Sequence, residues 1–277
     1  MTPGRVDARL ARRRFDRAAA SYAQATRLEA EIGARMLDRL DYVKLAPRRI
    51  LDAGSGPPQR ILGKRYPRAD VIALDYSFGM LRAGSSWLDF FRKKTAICAD
   101  FARLPLASGA VDLTWSNMAL HWAADPAAAL REFHRVLATE GLLMFSTLGP
   151  DTLAELRAAA GAARVHAFAD MHDLGDMLVA AGFAEPVMDM ERVTMVYESG
   201  DALLGDLRAS GQTCALGGGA RGLAGRRFRA ALGERLDAQR RDGKLSVSYE
   251  VVYGHAWKAA PRHAPDGRAI VKFERRR

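Results

Sequence analysis

Apolar residues in the first half of the chain come in short runs, each closed by a glycine loop or a polar side chain. Ile50-Leu-Asp-Ala-Gly-Ser-Gly56, Val71-Ile-Ala-Leu-Asp75, Ile97-Cys-Ala-Asp-Phe101 and Val111-Asp-Leu-Thr-Trp-Ser-Asn117 predict strands over Arg49–Ala53, Val71–Asp75, Thr95–Ala99 and Val111–Ser116. Helical spacing fills the intervals, with helices around Gln59–Tyr66, from near Phe78, and over Ala127–Leu137, then a fifth strand over Gly141–Thr147. Alternation at this rhythm predicts right-handed crossovers and a mostly parallel, Rossmann-like α/β sheet covered on both faces. The carboxyl ends of such strands line the ligand crevice, so the four endings are expected to converge on one small molecule.

Different patterns flank this core. From about Ala8 to Leu45 the chain reads as two helices, with Phe15, Ala19 and Tyr22 on one face and Leu28, Ile32, Met36 and Leu40 at helical spacing, until Pro47 stops the second. After Pro150, Asp151 is expected to cap a helix to about Ala160, and Asp170 another to Ala181, ended by Gly182. Val187–Tyr197 alternates like a half-exposed strand. Gly200–Lys244 reads as an inserted, basic helical lid, glycine-rich at Gly217-Gly-Gly219, and Val247–Trp257 as a final antiparallel strand. The expected organisation is an N-terminal helical cover (1–47), a core (48–198), a lid (199–246), a last core strand (247–258) and a basic tail (259–277).

Composition narrows the class. With 277 residues, 49% of them apolar, the chain can bury a sizeable core. No apolar run approaches the ~20 residues a bilayer span requires. The arginine-rich start lacks a following apolar stretch, so no secretory signal is expected, and Asp7, Asp16 and Glu29 count against a transit peptide. Cys98, on a predicted core strand, and Cys214, in a loop, offer neither metal spacing nor a disulfide framework, and a cytoplasmic location is expected. The net charge of +10 is clustered at Arg9, Arg12, Arg13, Arg14 and Arg17, at Arg226, Arg227 and Arg229, and at Arg275, Arg276 and Arg277. One such run is usually a solvated face; three favour an acidic partner.

The strand endings carry the candidate chemistry. Gly54 and Gly56 let backbone approach a ligand at a strand-to-helix turn, yet a dinucleotide fingerprint would need a third glycine where Gln59 stands. That disfavours a pyrophosphate and suits an amino-acid end, whose ammonium Asp52 could face. Asp75, 19 residues after Gly56, can accept both ribose hydroxyls. Asp100 can accept from an adenine amino group while Phe101 packs beside the ring. Tyr76, Met80 and Asn117 complete the candidate set, and the order of endings matches S-adenosylmethionine. His121, beside Trp122, reads as a packed wall residue rather than a base, and Met118, Met144, Met188 and Met190 read as core filler.

These stretches resemble class I S-adenosylmethionine-dependent methyltransferases over roughly Arg48 to Leu148, with Pro58 in place of the usual third glycine. A closer resemblance covers nearly the whole chain. Phe15-Asp-Arg-Ala-Ala-Ala-Ser-Tyr22, Ser116-Asn-Met-Ala-Leu-His-Trp122, Phe145-Ser-Thr-Leu-Gly-Pro-Asp-Thr152 and Asp170-Met-His-Asp-Leu-Gly-Asp176 are similar to the malonyl-[acyl-carrier protein] O-methyltransferases of biotin synthesis. So are Pro186-Val-Met-Asp-Met-Glu-Arg192 and Tyr249-Glu-Val-Val-Tyr-Gly-His255. The resemblance implies methylation of the free carboxylate of a malonyl thioester on an acyl carrier protein. It also implies that Tyr22 helps to close the active site and that Trp122 stands on the substrate side. The family's substrate-binding arginine stays unassigned, because Val165-His-Ala-Phe168 carries alanine where relatives often carry arginine.

This chemistry needs no catalytic dyad, since a carboxylate with a pKa of about 4 is already ionised at neutral pH. Alignment and exclusion of water would suffice. Arg226, Arg227, Arg229 and the arginines near Arg13 could steer an acidic carrier protein. Nucleic acid is disfavoured: no Asn/Asp-Pro-Pro-aromatic motif follows the fourth strand, and no cysteine follows the fourth or fifth. The alternatives are a related enzyme or assembly factor with another small-molecule or protein substrate, and a cofactor-binding protein without catalysis, which Pro58 prompts.

Overall fold

A computed structural model describes residues 5–58, 61–83, 95–217 and 225–260. The chain opens with α1 (Ala8–Ala18), the single turn α2 (Tyr22–Ala25) and α3 (Arg27–Arg39). Then follow β1 (Arg49–Ala53), α4 (Ile61–Arg65), β2 (Asp70–Asp75), α5 (Phe78–Ala83), β3 (Thr95–Cys98), β4 (Val111–Ser116), α6 (Pro126–Val136) and β5 (Leu137–Leu148). The last part comprises α7 (Ala154–Ala160), α8 (Met171–Ala180), β6 (Ala184–Tyr197), α9 (Gly200–Ala209), α10 (Arg226–Asp237) and β7 (Leu245–Trp257).

The seven strands form one sheet in the order β3-β2-β1-β4-β5-β7-β6. β1 to β5 are parallel, and β7 lies antiparallel between β5 and β6. Successive strand residues face opposite sides, so neighbours in sequence feed two separate cores. Ile50, Leu113, Leu142 and Met144 pack with Leu28, Ile32 and Met36 of α3. Leu51, Leu143 and Phe145 pack with Leu130 and Phe133 of α6 on the other side. Each fully buried side chain of this size contributes about 1.5–3 kcal/mol. Helix starts follow local chemistry: Asp7 accepts from Leu10 N at 3.0 Å, Asp125 from Ala128 N at 3.0 Å ahead of Pro126, and Asp170 from His172 N at 2.8 Å.

Several expectations are corrected. Tyr22 does not share a helix with Phe15, because the Ser21 hydroxyl donates to Ala18 O (3.1 Å) and Ala209 O (2.8 Å) and holds the chain in a turn. Asp151 caps nothing. Its N–H donates to the Glu250 carboxylate (2.9 Å), its side chain pairs with Arg192, and α7 starts after Leu153, which is left-handed at φ +56. Cys98 is exposed, since β3 is the sheet edge. Met118 and Met144 are buried, but Met188 is only half-buried and Met190 is exposed. The residues Gln59, Gly218 and Gly219, the side chain of Arg226, and the tail from 261 lie outside the described residues. Among the described residues no helix is long and apolar enough to cross a membrane.

Candidate active site

Where β1 ends, Gly54 (φ +77) and Gly56 (φ +58) adopt left-handed backbone that favours glycine. The loop is pinned to β2, for Gly54 N and Ser55 N both donate to Leu74 O, at 2.8 and 3.0 Å. A Cβ on Gly54 would lie 2.3 Å from the Ala119 Cβ and 3.1 Å from the Phe101 ring, filling the gap between strand ends. That gap opens into a cleft walled by Asp75, Tyr76, Met80, Asp100, Phe101 and Asn117. Tyr22 and Trp122 border it as well. The sequence-predicted residues from three other strand ends therefore meet the glycine loop at one place.

Asp52 stands just beside it, in a smaller recess shared with Tyr22, Glu29, Gly54 and Asn117. Its carboxyl is buried and makes no hydrogen bond among the described residues. Burial, and next the charge of Asp75, push its pKa up to about 7. Asp75 is better satisfied: one oxygen accepts from Gly56 N (2.9 Å) and the other from Ser77 N (2.7 Å). Burial still raises it to about 6. Each oxygen keeps a second lone pair for another donor. The backbone turn after Asp100 uses one of its oxygens, which accepts from Ala102 N at 3.0 Å, and Phe101 packs edge-on against Phe133. Asn117 is committed to the fold, donating to Glu29 O (2.8 Å) and accepting from the Ser146 hydroxyl (2.9 Å).

An unpartnered buried acid, an acid with spare acceptor capacity and a gap that a single Cβ would fill together suit an adenosyl ligand with an ammonium-bearing end. The cleft itself holds only about 80 Å³, well below the ~300 Å³ or more usual for small-molecule pockets. Arg12, Phe15 and Tyr22 of the N-terminal helices close over it. Asp16 ties that cover down, accepting from the Ser77 hydroxyl (2.6 Å) and from Gly79 N (3.0 Å). Burial, with the charges of Glu29 and Asp75, holds the Tyr22 phenol far above its usual range, so it stays protonated.

Across Trp122 lies a second, larger chamber of about 520 Å³. Trp122 is held edge-on between Phe15 and His166, each 4.9 Å from it. Among the described residues, the chamber walls are leucine-rich and carry three arginines, Arg14, Arg164 and Arg208, but no Asp or Glu. His121 also lines it, with Nδ1 3.3 Å from the Thr147 hydroxyl. Burial, and then the field of His166, lower His121 to about 3, so it is a neutral wall residue. Arg227 is exposed on α10, away from both cavities, and Arg229 beside it reaches Asp201 at 3.8 Å.

Sequence reasoning passes over Arg14, His166, Asp16, Glu29 and Gln212 as members of this site. Arg14 is one of a charge run, His166 one of a short loop, and their partners lie far along the chain. Only the folded geometry groups them.

The chain is similar to known proteins in sequence and in fold. A model of a methyltransferase domain matches residues 51–145. The malonyl-[acyl-carrier protein] O-methyltransferase of Gallionella capsiferriformans is 50% identical, over 96% of this chain and 96% of its own. That of Laribacter hongkongensis is 49% identical, over 94% and 93%. Among solved structures, a Haemonchus contortus phosphoethanolamine N-methyltransferase 2 held with S-adenosylhomocysteine superimposes with a TM-score of 0.50 at 15% identity, covering 82% of this chain and 53% of that one. The fold is therefore that of the class I S-adenosylmethionine-dependent methyltransferases. With half of its residues shared along nearly the full length of both chains, this protein belongs to the malonyl-[acyl-carrier protein] O-methyltransferase family.

Proposed function

We propose that the chain transfers a methyl group from S-adenosylmethionine to the free carboxylate of a malonyl thioester borne by an acyl carrier protein. The family resemblance assigns that methylation to the early, pimeloyl-building part of biotin synthesis. The observation that carries the reading is the chamber across Trp122: apolar walls, three arginines and, among the described residues, no carboxylate, beside the adenosyl-type cleft. Such a lining suits an acyl group that ends in an anion.

Bound S-adenosylmethionine would supply a methyl group already activated on a sulfonium. The chain's own residues then have to hold, align and dry the reactants. Asp75 would take the ribose hydroxyls on its free lone pairs, Asp52 the ammonium, and Asp100 with Phe101 the adenine, while Gly54 and Gly56 let the backbone come close. Met80, Tyr76 and Asn117 would complete the wall. Tyr22 and Trp122 would close the reacting centre against water, raising the nucleophilicity of a carboxylate that is otherwise hydrated. No base is needed, and the neutral, half-buried His121 is not suited to be one. The described parts of 1–47 and 199–246 would act as covers over those of a core of 48–198 and 247–258. The exposed Arg227 at the start of α10 would offer basic charge to an acidic carrier.

Mass spectrometry of malonyl-carrier protein incubated with enzyme and S-adenosylmethionine tests the reading. A gain of one methylene, absent with acetyl-carrier protein, is expected. Methylation of both, or of neither, overturns it.

A further inference from the structure

The chamber holds an unbalanced charge. Arg14 is half-buried on its wall, and among the described residues its one hydrogen bond is to the neutral Thr213 hydroxyl, from Nη1 at 2.9 Å. It makes no ion pair with an acid among the described residues. Burial lowers its pKa, the sign of a cation short of compensation. A charge drawn partly out of water with no anion beside it is one that a ligand's anion can pair.

His166 stands next to it. Its Nε2 accepts from Ala215 N at 2.7 Å, and so cannot carry the ring proton while the ring is neutral. Burial, then the Arg14 charge, lower its pKa to about 4, which keeps it neutral at physiological pH. The proton therefore sits on Nδ1, a donor with no partner among the described residues. Both groups line the chamber that Trp122 also walls. The His166 ring is 4.9 Å from Trp122, and so is that of Phe15, the residue after Arg14. The other two arginines are placed differently. Arg164 stacks on Phe228 at 4.0 Å, and Arg208 is exposed to solvent.

The geometry points to Arg14 and the Nδ1–H of His166 as the clamp that holds the substrate's free carboxylate beside Trp122, facing the cofactor cleft. This rests on the malonyl-thioester reading above and names the residues that recognise the anion. The guanidinium supplies charge and a planar fork; the imidazole supplies one directed donor. Fixed by Thr213 and Ala215, both are oriented before substrate arrives, which limits the ordering cost of binding.

Acid-over-amide discrimination tests this directly. Malonyl-carrier protein is assayed as substrate and malonamyl-carrier protein, its neutral isostere, as competitive inhibitor. Kd for S-adenosylhomocysteine serves as the control for folding. The intact enzyme should favour the acid by about 10–100-fold, as expected of hydrogen bonds to a charged group. Arg14→Gln should raise KM for the acid by a similar factor and leave the amide within about threefold, so that discrimination nearly vanishes. Arg14→Lys should recover part of it by restoring charge without the fork, and His166→Phe should lose about 3–10-fold. In each variant S-adenosylhomocysteine should bind within about twofold of wild type. Equal losses for acid and amide in Arg14→Gln would assign Arg14 a structural role only and overturn the clamp. So would discrimination that survives in Arg14→Gln and collapses in Arg208→Gln. If the intact enzyme fails to methylate the malonyl thioester at all, the substrate reading falls and the clamp with it. Turnover by the intact enzyme with unaltered discrimination in Arg14→Gln refutes the clamp alone.

Discussion

Replacing Asp52 by asparagine should stabilise the ligand-free protein at alkaline pH while impairing cofactor binding. In the unfolded chain the carboxyl titrates at its ordinary 3.8; in the fold, burial and then the Asp75 charge raise it to about 7. Between these values the native state holds a proton that the unfolded state has released. The contribution of this group to stability is thus complete below about pH 4 and is lost as pH climbs through about 7. The gap corresponds to at most about 4 kcal/mol. An amide at this position cannot ionise, so urea unfolding should find Asp52→Asn about 2–4 kcal/mol more stable than wild type at pH 8 and within about 1 kcal/mol of it at pH 4. Calorimetric titration at pH 8 should show S-adenosylhomocysteine bound about 10–100-fold more weakly, because the ammonium loses its anion. Wild-type affinity should also weaken as pH falls below about 7 while that of the variant stays flat. A variant with the same stability deficit at both pH values, or with wild-type affinity, would refute the assignment.

Two further outcomes are expected. Tyr22→Ala, which opens the roof over Gly56 without removing a cofactor-holding acid, should lower kcat by about 10-fold or more and weaken S-adenosylhomocysteine by less; stopped-flow turnover beside calorimetry checks this, and equal losses would rule out a closing role. Charge reversal at Arg226 and Arg227 should raise KM for carrier-bound substrate about 10-fold at low salt and spare short malonyl thioesters, with the difference fading at high ionic strength.

Much of the core is legible because its signals are local. Each strand from β1 to β4 carries its own apolar run and its own polar ending, and a parallel sheet aligns those endings whatever else the chain does. Gly54, Gly56, Asp75, Asp100 and Phe101 can therefore be singled out by spacing alone, and the structure places them around one cleft. The covers are not legible in this way. Tyr22 falls at helical spacing from Phe15, yet the Ser21 hydroxyl finds Ala209, 188 residues away, and breaks the helix. Asp151 resembles a helix cap, yet Glu250, 99 residues on, takes its N–H. The second chamber is assembled from α1, α7, α9 and α10 with the loops between them, so no window of sequence contains it. Arg14 differs from Arg13 only in the direction it faces after folding.

The cover and the lid are stitched together. Asp7 N donates to Ala215 O (2.7 Å), Gly217 N donates to Arg5 O (2.8 Å), and Arg14 and Ser21 add side-chain ties to Thr213 and to Ala209. One clasp thus roofs both cavities. Parting that clasp would uncover the two cavities together, so whatever occupies one would exchange with solvent in step with the other.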